Sequence, residues 1–127
     1  MRNLTATLSL AIVVLLGSLG MSASADFQKG LTAVRNGEFE TALRDLRLLS
    51  KQGDAAAQCN LGIMYALGKG VLKDYVRTHM WVHIAATNGN KLGAKLRDTF
   101  EKKMSPAHIY IAQKLARECV RKKYKGC

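Results

Sequence analysis

A chain that repeats itself at a fixed interval has to bury its apolar surface against its own neighbouring repeats. This chain does so at an interval of 36 residues. Displaced by that interval, Glu38 falls on Asp74, Phe39 on Tyr75, Ala42 on Thr78 and Leu46 on Val82. Leu49 falls on Ala85, Gly53 on Gly89 and Asp54 on Asn90. Small or apolar residues mostly meet small or apolar ones, and a polar–Gly–polar turn closes both segments. A period in this range marks a solenoid of helix pairs. A single pair cannot cover its apolar stripe, so pairs stack.

The local pattern agrees. After the first 25 residues there are no runs of β-branched residues, and proline occurs once, at Pro106. Apolar residues recur at helical spacing: Phe27, Leu31, Val34; then Phe39, Ala42, Leu43, Leu46, Leu49; then Ile109, Ala112, Leu115, Ala116, Cys119. Such stripes predict amphipathic helices. Turn signals "NGE", "QGD", "GKG", "NGN" and "MSP" punctuate them, and Asn or Gly at a helix end suits a left-handed cap. Ser105 before Pro106 reads as an N-cap followed by proline in the first turn. The expected fold is all-α, an α/α solenoid of about three helix pairs. Its helices fall at roughly 27–36, 38–51, 54–67, 74–88, 91–103 and 106–123.

The stretch "LGIMYALGKGVLKD", Leu61 to Asp74, carries small residues where a helix usually carries large ones. Two antiparallel helices approach closely where one bears Gly or Ala, so Gly62 and Ala66 are expected at a helix–helix contact, with Tyr65 beside them. Gly68 and Gly70 are expected at positive φ, reversing the chain. Val71 should plug the loop into the core, and Asp74 should cap the next helix. That helix should turn Trp81, Ala85 and Ala86 inward.

These residues carry a family resemblance. Asp54 to Gly89 resembles one Sel-1-like repeat, a tetratricopeptide-like helix pair. The pattern is matched by Ala55, Ala57, Gln58, Leu61, Gly62, Tyr65, Gly68, Gly70, Val71, Asp74, Tyr75, Trp81, Ala85, Ala86 and Gly89. Residues 27–54 look like a degenerate first repeat. "RDTFEKKMSPAHIYIAQKLARECV" looks like the closing helix pair of small exported bacterial members. Two positions depart from the pattern: Leu72 stands where Pro is usual, and Thr78 where Ala is usual. The resemblance implies scaffolding through protein–protein interaction. It also brings a minor link of cysteine-rich relatives to penicillin binding or hydrolysis.

The first 25 residues read as an export signal: Arg2, the apolar core "LSLAIVVLLGSLG", then "ASA" at Ala23 to Ala25. Leu8 to Leu16 is short against the about 20 apolar residues of a membrane span, although an uncleaved anchor is the alternative reading. The expected organisation is a signal peptide at 1–25, a helical-repeat domain at 26–123 and a basic, disulfide-linked tail at 124–127. Location in the periplasm or outside the cell follows, with no stable transmembrane segment once the signal is removed.

Charge is concentrated late in the chain. Residues 26–90 hold 8 basic against 6 acidic side chains, and residues 91–127 hold 11 against 3. An exported protein meets little nucleic acid, so that partner class is excluded here. Anionic lipid, cell-wall polymer or an acidic protein fit such a surface better, and a merely solubilising helix face is the bland reading. Arg117, Arg121, Lys122, Lys123 and Lys125 are the candidate contacts for an anionic partner.

Cys119 and Cys127 have seven residues between them. On a continuous helix they would stand about 12 Å apart, too far to bond, but Gly126 allows the chain to turn back. Export favours pairing, and the spacing resembles that of cysteine-rich exported Sel-1-like proteins. A Cys119–Cys127 bridge stapling an otherwise frayed tail is therefore expected, with Cys59 a buried free thiol. A bridge from Cys59 is the alternative.

Little points to chemistry. His79 and His83 stand four apart on one helix face, a metal-ligand spacing, but "MWV" lies between them without a catalytic Glu. They are expected as two surface histidines beside a buried Trp81, and His108 has no fixed place relative to them. Ser50 and Ser105 fall at helix ends with no base in sight. The chain is expected to be a non-enzymatic scaffold without cofactor or metal, binding a protein partner in the cell envelope. The second reading is a cationic envelope protein that binds anionic lipid or cell-wall polymer through its last helix.

Overall fold

The computed structural model describes residues 37–127. The expected export signal, its cleavage point before Asp26 and the helix expected over 27–36 lie outside them. Among the described residues the chain is all-helical: α1 Phe39–Lys51, α2 Ala55–Leu67, α3 Tyr75–Thr87, α4 Lys91–Glu101 and α5 Pro106–Arg121. Successive helices pack side by side from α1 to α4, and α5 returns onto α3. This is the solenoid-like all-α architecture expected from the repeat. Among the described residues no helix is long and apolar enough to cross a membrane.

The 36-residue period is realised in hydrogen bonds. At the end of α1, Gly53 N–H donates to the Ser50 carbonyl and Asp54 N–H to the Leu49 carbonyl. At the end of α3, Gly89 and Asn90 make the same pair of bonds to Ala86 and Ala85. Both are Schellman closures, which place the residue after the cap in the left-handed region. Gly53 and Gly89 sit there, at φ 88° and 96°. The next residue in each repeat then caps the following helix. Asp54 Oδ1 accepts from Ala57 N–H (2.9 Å) and Asn90 Oδ1 accepts from Gly93 N–H (2.7 Å).

Packing follows the small residues. A Cβ on Gly62 would lie 2.8 Å from Val82 Cγ1 and 3.2 Å from the Thr78 carbonyl oxygen, so α2 and α3 touch nearly backbone to side chain there. Gly93 does the same between α4 and α3, where a Cβ would lie 2.9 Å from the Val82 carbonyl oxygen. Leu46, Leu61, Met80, Ile84 and Ala85 fill the core between these contacts, with Trp81 against it. Ala66 is only half-buried, so Gly62 makes the close contact that both were expected to share. Thr78 is fully buried and returns its hydroxyl to the Asp74 carbonyl (2.9 Å), which satisfies the polar group that replaces alanine. Gly68 and Gly70 stand at φ 68° and 75°, Val71 packs against the core, and Asp74 caps α3. Ser105 caps α5 ahead of Pro106.

The two histidines correct an expectation. His79 is fully buried rather than on the surface, and His83 is half-buried. Helix α4 packs against α3 and brings Glu101 to this pair. His79 Nε2 lies 2.7 Å from Glu101 Oε2, and the two imidazoles stack at 5.9 Å. A carboxylate from a different helix answers the buried imidazole, as a buried polar group requires.

Candidate functional site

The five cations expected to meet an anionic partner lie at the end of α5 and in the loop that follows it. Their positions are set by how that helix ends. Lys123 N–H donates to the Val120 carbonyl and Tyr124 N–H to the Cys119 carbonyl (2.8 Å), the same closure that ends α1 and α3. No glycine occupies the left-handed position here. Lys123 and Tyr124 take φ 56° and 67°, followed by Gly126 at 74°. The chain therefore turns back three residues earlier than Gly126 alone suggests. Such conformations are uncommon for residues with a side chain and persist where surrounding contacts fix them.

Those contacts are present. Cys119 and Cys127 are joined, with their Cα atoms 5.8 Å apart, and both pack with the core cluster. Tyr124 lies half-buried across the repeat turns, its ring edge 3.8 Å from the position a Gly53 Cβ would occupy. A polar chain links the helix ends. Gln58 Nε2 donates to the Ser50 carbonyl (3.1 Å), and Gln58 Oε1 accepts from Asn88 Nδ2 (2.9 Å). The same Asn88 amide donates to the Tyr124 hydroxyl (3.0 Å). Arg77 Nη1 adds a bond to the Cys127 carbonyl (3.4 Å). The loop is thus seated on the solenoid: the expected Cys119–Cys127 staple is present, and side chains of the repeat hold the stapled segment as well. Tyr124, Asn88, Gln58 and Arg77 were not foreseen as its holders. The signal for one of them was present: a lone aromatic in the cationic run "RKKYKGC".

The structure leaves the cations on the outside. Arg117, Arg121, Lys122, Lys123 and Lys125 are exposed. Among the described residues, carboxylates come within 4.0 Å only of Arg44, Arg77, Arg97 and His79, so none of the five is paired. Beneath the loop is a cleft of about 210 Å³ lined by Arg47, Lys51, Trp81, Tyr124, Gly126 and Cys127. A larger open cleft, about 460 Å³, lies where α3 begins and α5 begins, and His108 borders it with Tyr75 and Met104.

The other reactive groups are occupied or shielded. Burial pushes the Cys59 thiol up to about 12, so it stays protonated at neutral pH and is no nucleophile. It is free and buried, as expected. Burial lowers the His83 pKa below its usual range, helped by the neighbouring His79 and Arg97. Ser105 spends its hydroxyl on the α5 cap, while the Ser50 hydroxyl is buried without a partner among the described residues. Among the described residues no group of three or more His, Cys, Asp or Glu side chains is placed to hold a metal.

No protein-family model matches the chain, and no curated protein or solved structure matches it either.

Proposed function

We propose that this chain is an exported Sel-1-like helical-repeat scaffold that binds a protein partner in the cell envelope, with its stapled basic loop as the contact surface. The observation that carries the reading is the seat of that loop. Five cations, none with a carboxylate of the described residues within 4.0 Å, stand on and beside a segment fixed by a disulfide, a tyrosine and a polar chain. A fixed set of like charges focuses potential and favours an acidic partner. The paired cysteines fit an oxidising compartment, in keeping with the leader-like first 25 residues. Individual exposed ion pairs add at most about 1 kcal/mol each, so the cations act together with the shape of the loop. Affinity capture from an envelope extract tests this, comparing wild type with a variant carrying Arg121→Glu, Lys122→Glu and Lys125→Glu. The expected outcome is a partner retained by wild type and lost from the variant. Equal capture by both removes the loop from the reading.

A second reading has its own support. Helix α5 exposes Tyr110 and Ile111 close to Lys114 and Arg117, a mixed apolar and basic face suited to an anionic lipid or cell-wall surface. Co-sedimentation with anionic vesicles distinguishes the two. Adhesion through α5 falls steeply as salt rises and is abolished by Tyr110→Ser with Ile111→Ser, changes that leave a loop-mediated protein complex intact.

A further inference from the structure

The cleft beneath the stapled loop has features that a solubilising basic face does not need. Arg47 and Lys51 stand one turn apart on α1, four positions apart along the helix, and both line the cleft. Like charges at that spacing repel, and no carboxylate of the described residues lies within 4.0 Å of either. Arg47 is also held in place: its Nη2 donates to the Tyr65 hydroxyl (3.3 Å). Trp81 forms another wall. It is 3% exposed, and its indole N–H is buried with no hydrogen-bond partner among the described residues. The opposite wall is Tyr124, Gly126 and Cys127, so the cleft borrows one side from the disulfide loop.

Size and lining narrow the occupant. At about 210 Å³ the cleft is smaller than the roughly 300–1,000 Å³ of small-molecule sites and suits a single side chain. The apolar surfaces of Trp81 and the disulfide fit a short methylene stem, and the two cations fit a carboxylate at its end. We propose that this cleft takes one glutamate side chain of an acidic segment in the protein partner, and that it exists as a binding site only while Cys119 and Cys127 are joined. The inference rests on the protein-partner reading above and names the chemistry of that partner.

The molecule supplies its own reporter, because Trp81 is the only tryptophan in the chain. Hexaglutamate blocked at both ends, and hexaglutamine blocked likewise, are titrated into the oxidised protein at low ionic strength. Indole emission and the anisotropy of a labelled peptide are read together. Hexaglutamate should give a saturable change in both signals and hexaglutamine in neither. Substituting Arg47→Gln together with Lys51→Gln should weaken binding about tenfold or more, as loss of charge-assisted bonds does. Both side chains are exposed, and an unchanged circular dichroism spectrum and melt confirm the fold. Lys122→Gln with Lys123→Gln, outside the cleft, should weaken it only about two- to threefold. Dithiothreitol, which becomes a cyclic disulfide as it converts the bridge to two thiols, should abolish the indole response.

Four results overturn the proposal. One is a peptide that binds by anisotropy without moving the indole signal. That result places the contact elsewhere on the basic loop and leaves the protein-partner reading standing. Another is unchanged affinity in the Arg47→Gln, Lys51→Gln protein. The third is displacement of hexaglutamate by inorganic phosphate beyond what chloride of equal ionic strength causes, which would mark a site for free phosphate. Failure of hexaglutamate to bind at all also refutes the cleft, whereas the partner reading itself falls only with the capture experiment.

Discussion

At Gly62 the whole α2–α3 contact depends on a missing methyl group. The nearest obstacles to a Cβ are Val82 Cγ1 and the Thr78 carbonyl oxygen, and the second is backbone that cannot rotate away. Gly62→Ala should therefore cost about 1–3 kcal/mol through overpacking, visible as a lower thermal midpoint with the helical spectrum retained. A melt equal to wild type would mean the helices can separate freely at that point. Cys59 gives a second residue-level test. With its thiol buried and its pKa pushed up to about 12, it should resist iodoacetamide in the native protein and react fully in denaturant. Rapid native labelling would show that α2 opens. His83 adds a dependence on pH. Its folded pKa lies below its ordinary value of 6.5, so the folded chain binds that proton less readily than the unfolded chain. The stability it contributes is intact above the unfolded pKa and is lost as pH falls below 6.5 and through the folded pKa. His83→Gln should then lose less thermal stability than wild type between about pH 7.5 and 5.5, and an identical slope for both proteins would refute the assignment.

Between elements, the parts readable from sequence are those set by local chemistry. The expected helices at 54–67, 74–88 and 106–123 match α2, α3 and α5 to within two residues at each end. Asp74 and Ser105 cap as their sequence context predicts, because an N-cap bond spans only three residues. What the sequence did not disclose depends on residues far apart along the chain. The Gln58–Asn88–Tyr124 chain bridges 30 and 36 positions, and His79 meets Glu101 across 22. No periodicity reports such pairs. The Cys119–Cys127 bridge was legible from spacing, yet the turn that allows it uses Lys123 and Tyr124 as well as Gly126. The bridge closes a short loop, so Cys127→Ala should cost about 2–3 kcal/mol on the chain-entropy estimate. Chemical denaturation of the oxidised wild type and the variant measures this. No difference would mean that Tyr124 and Asn88 hold the loop unaided.

In the molecule as a whole, a basic, covalently closed loop sits on a stack of helix pairs, and the repeat turns are its seat. Three helix ends close by the same pair of bonds, and the polar chain from Ser50 to Tyr124 runs across them. The cations gain a fixed arrangement from this, and the cleft under the loop gains a wall. If the loop were instead a solvated appendage, neither the charge pattern nor the cleft would exist as a unit. Amide hydrogen exchange of the oxidised protein decides between the two most directly. The Tyr124 N–H, which donates to the Cys119 carbonyl at 2.8 Å, should be protected to about the same degree as amides in the middle of α5. Exchange at the rate of an unstructured peptide would contradict the seated loop and the contact surface proposed for it.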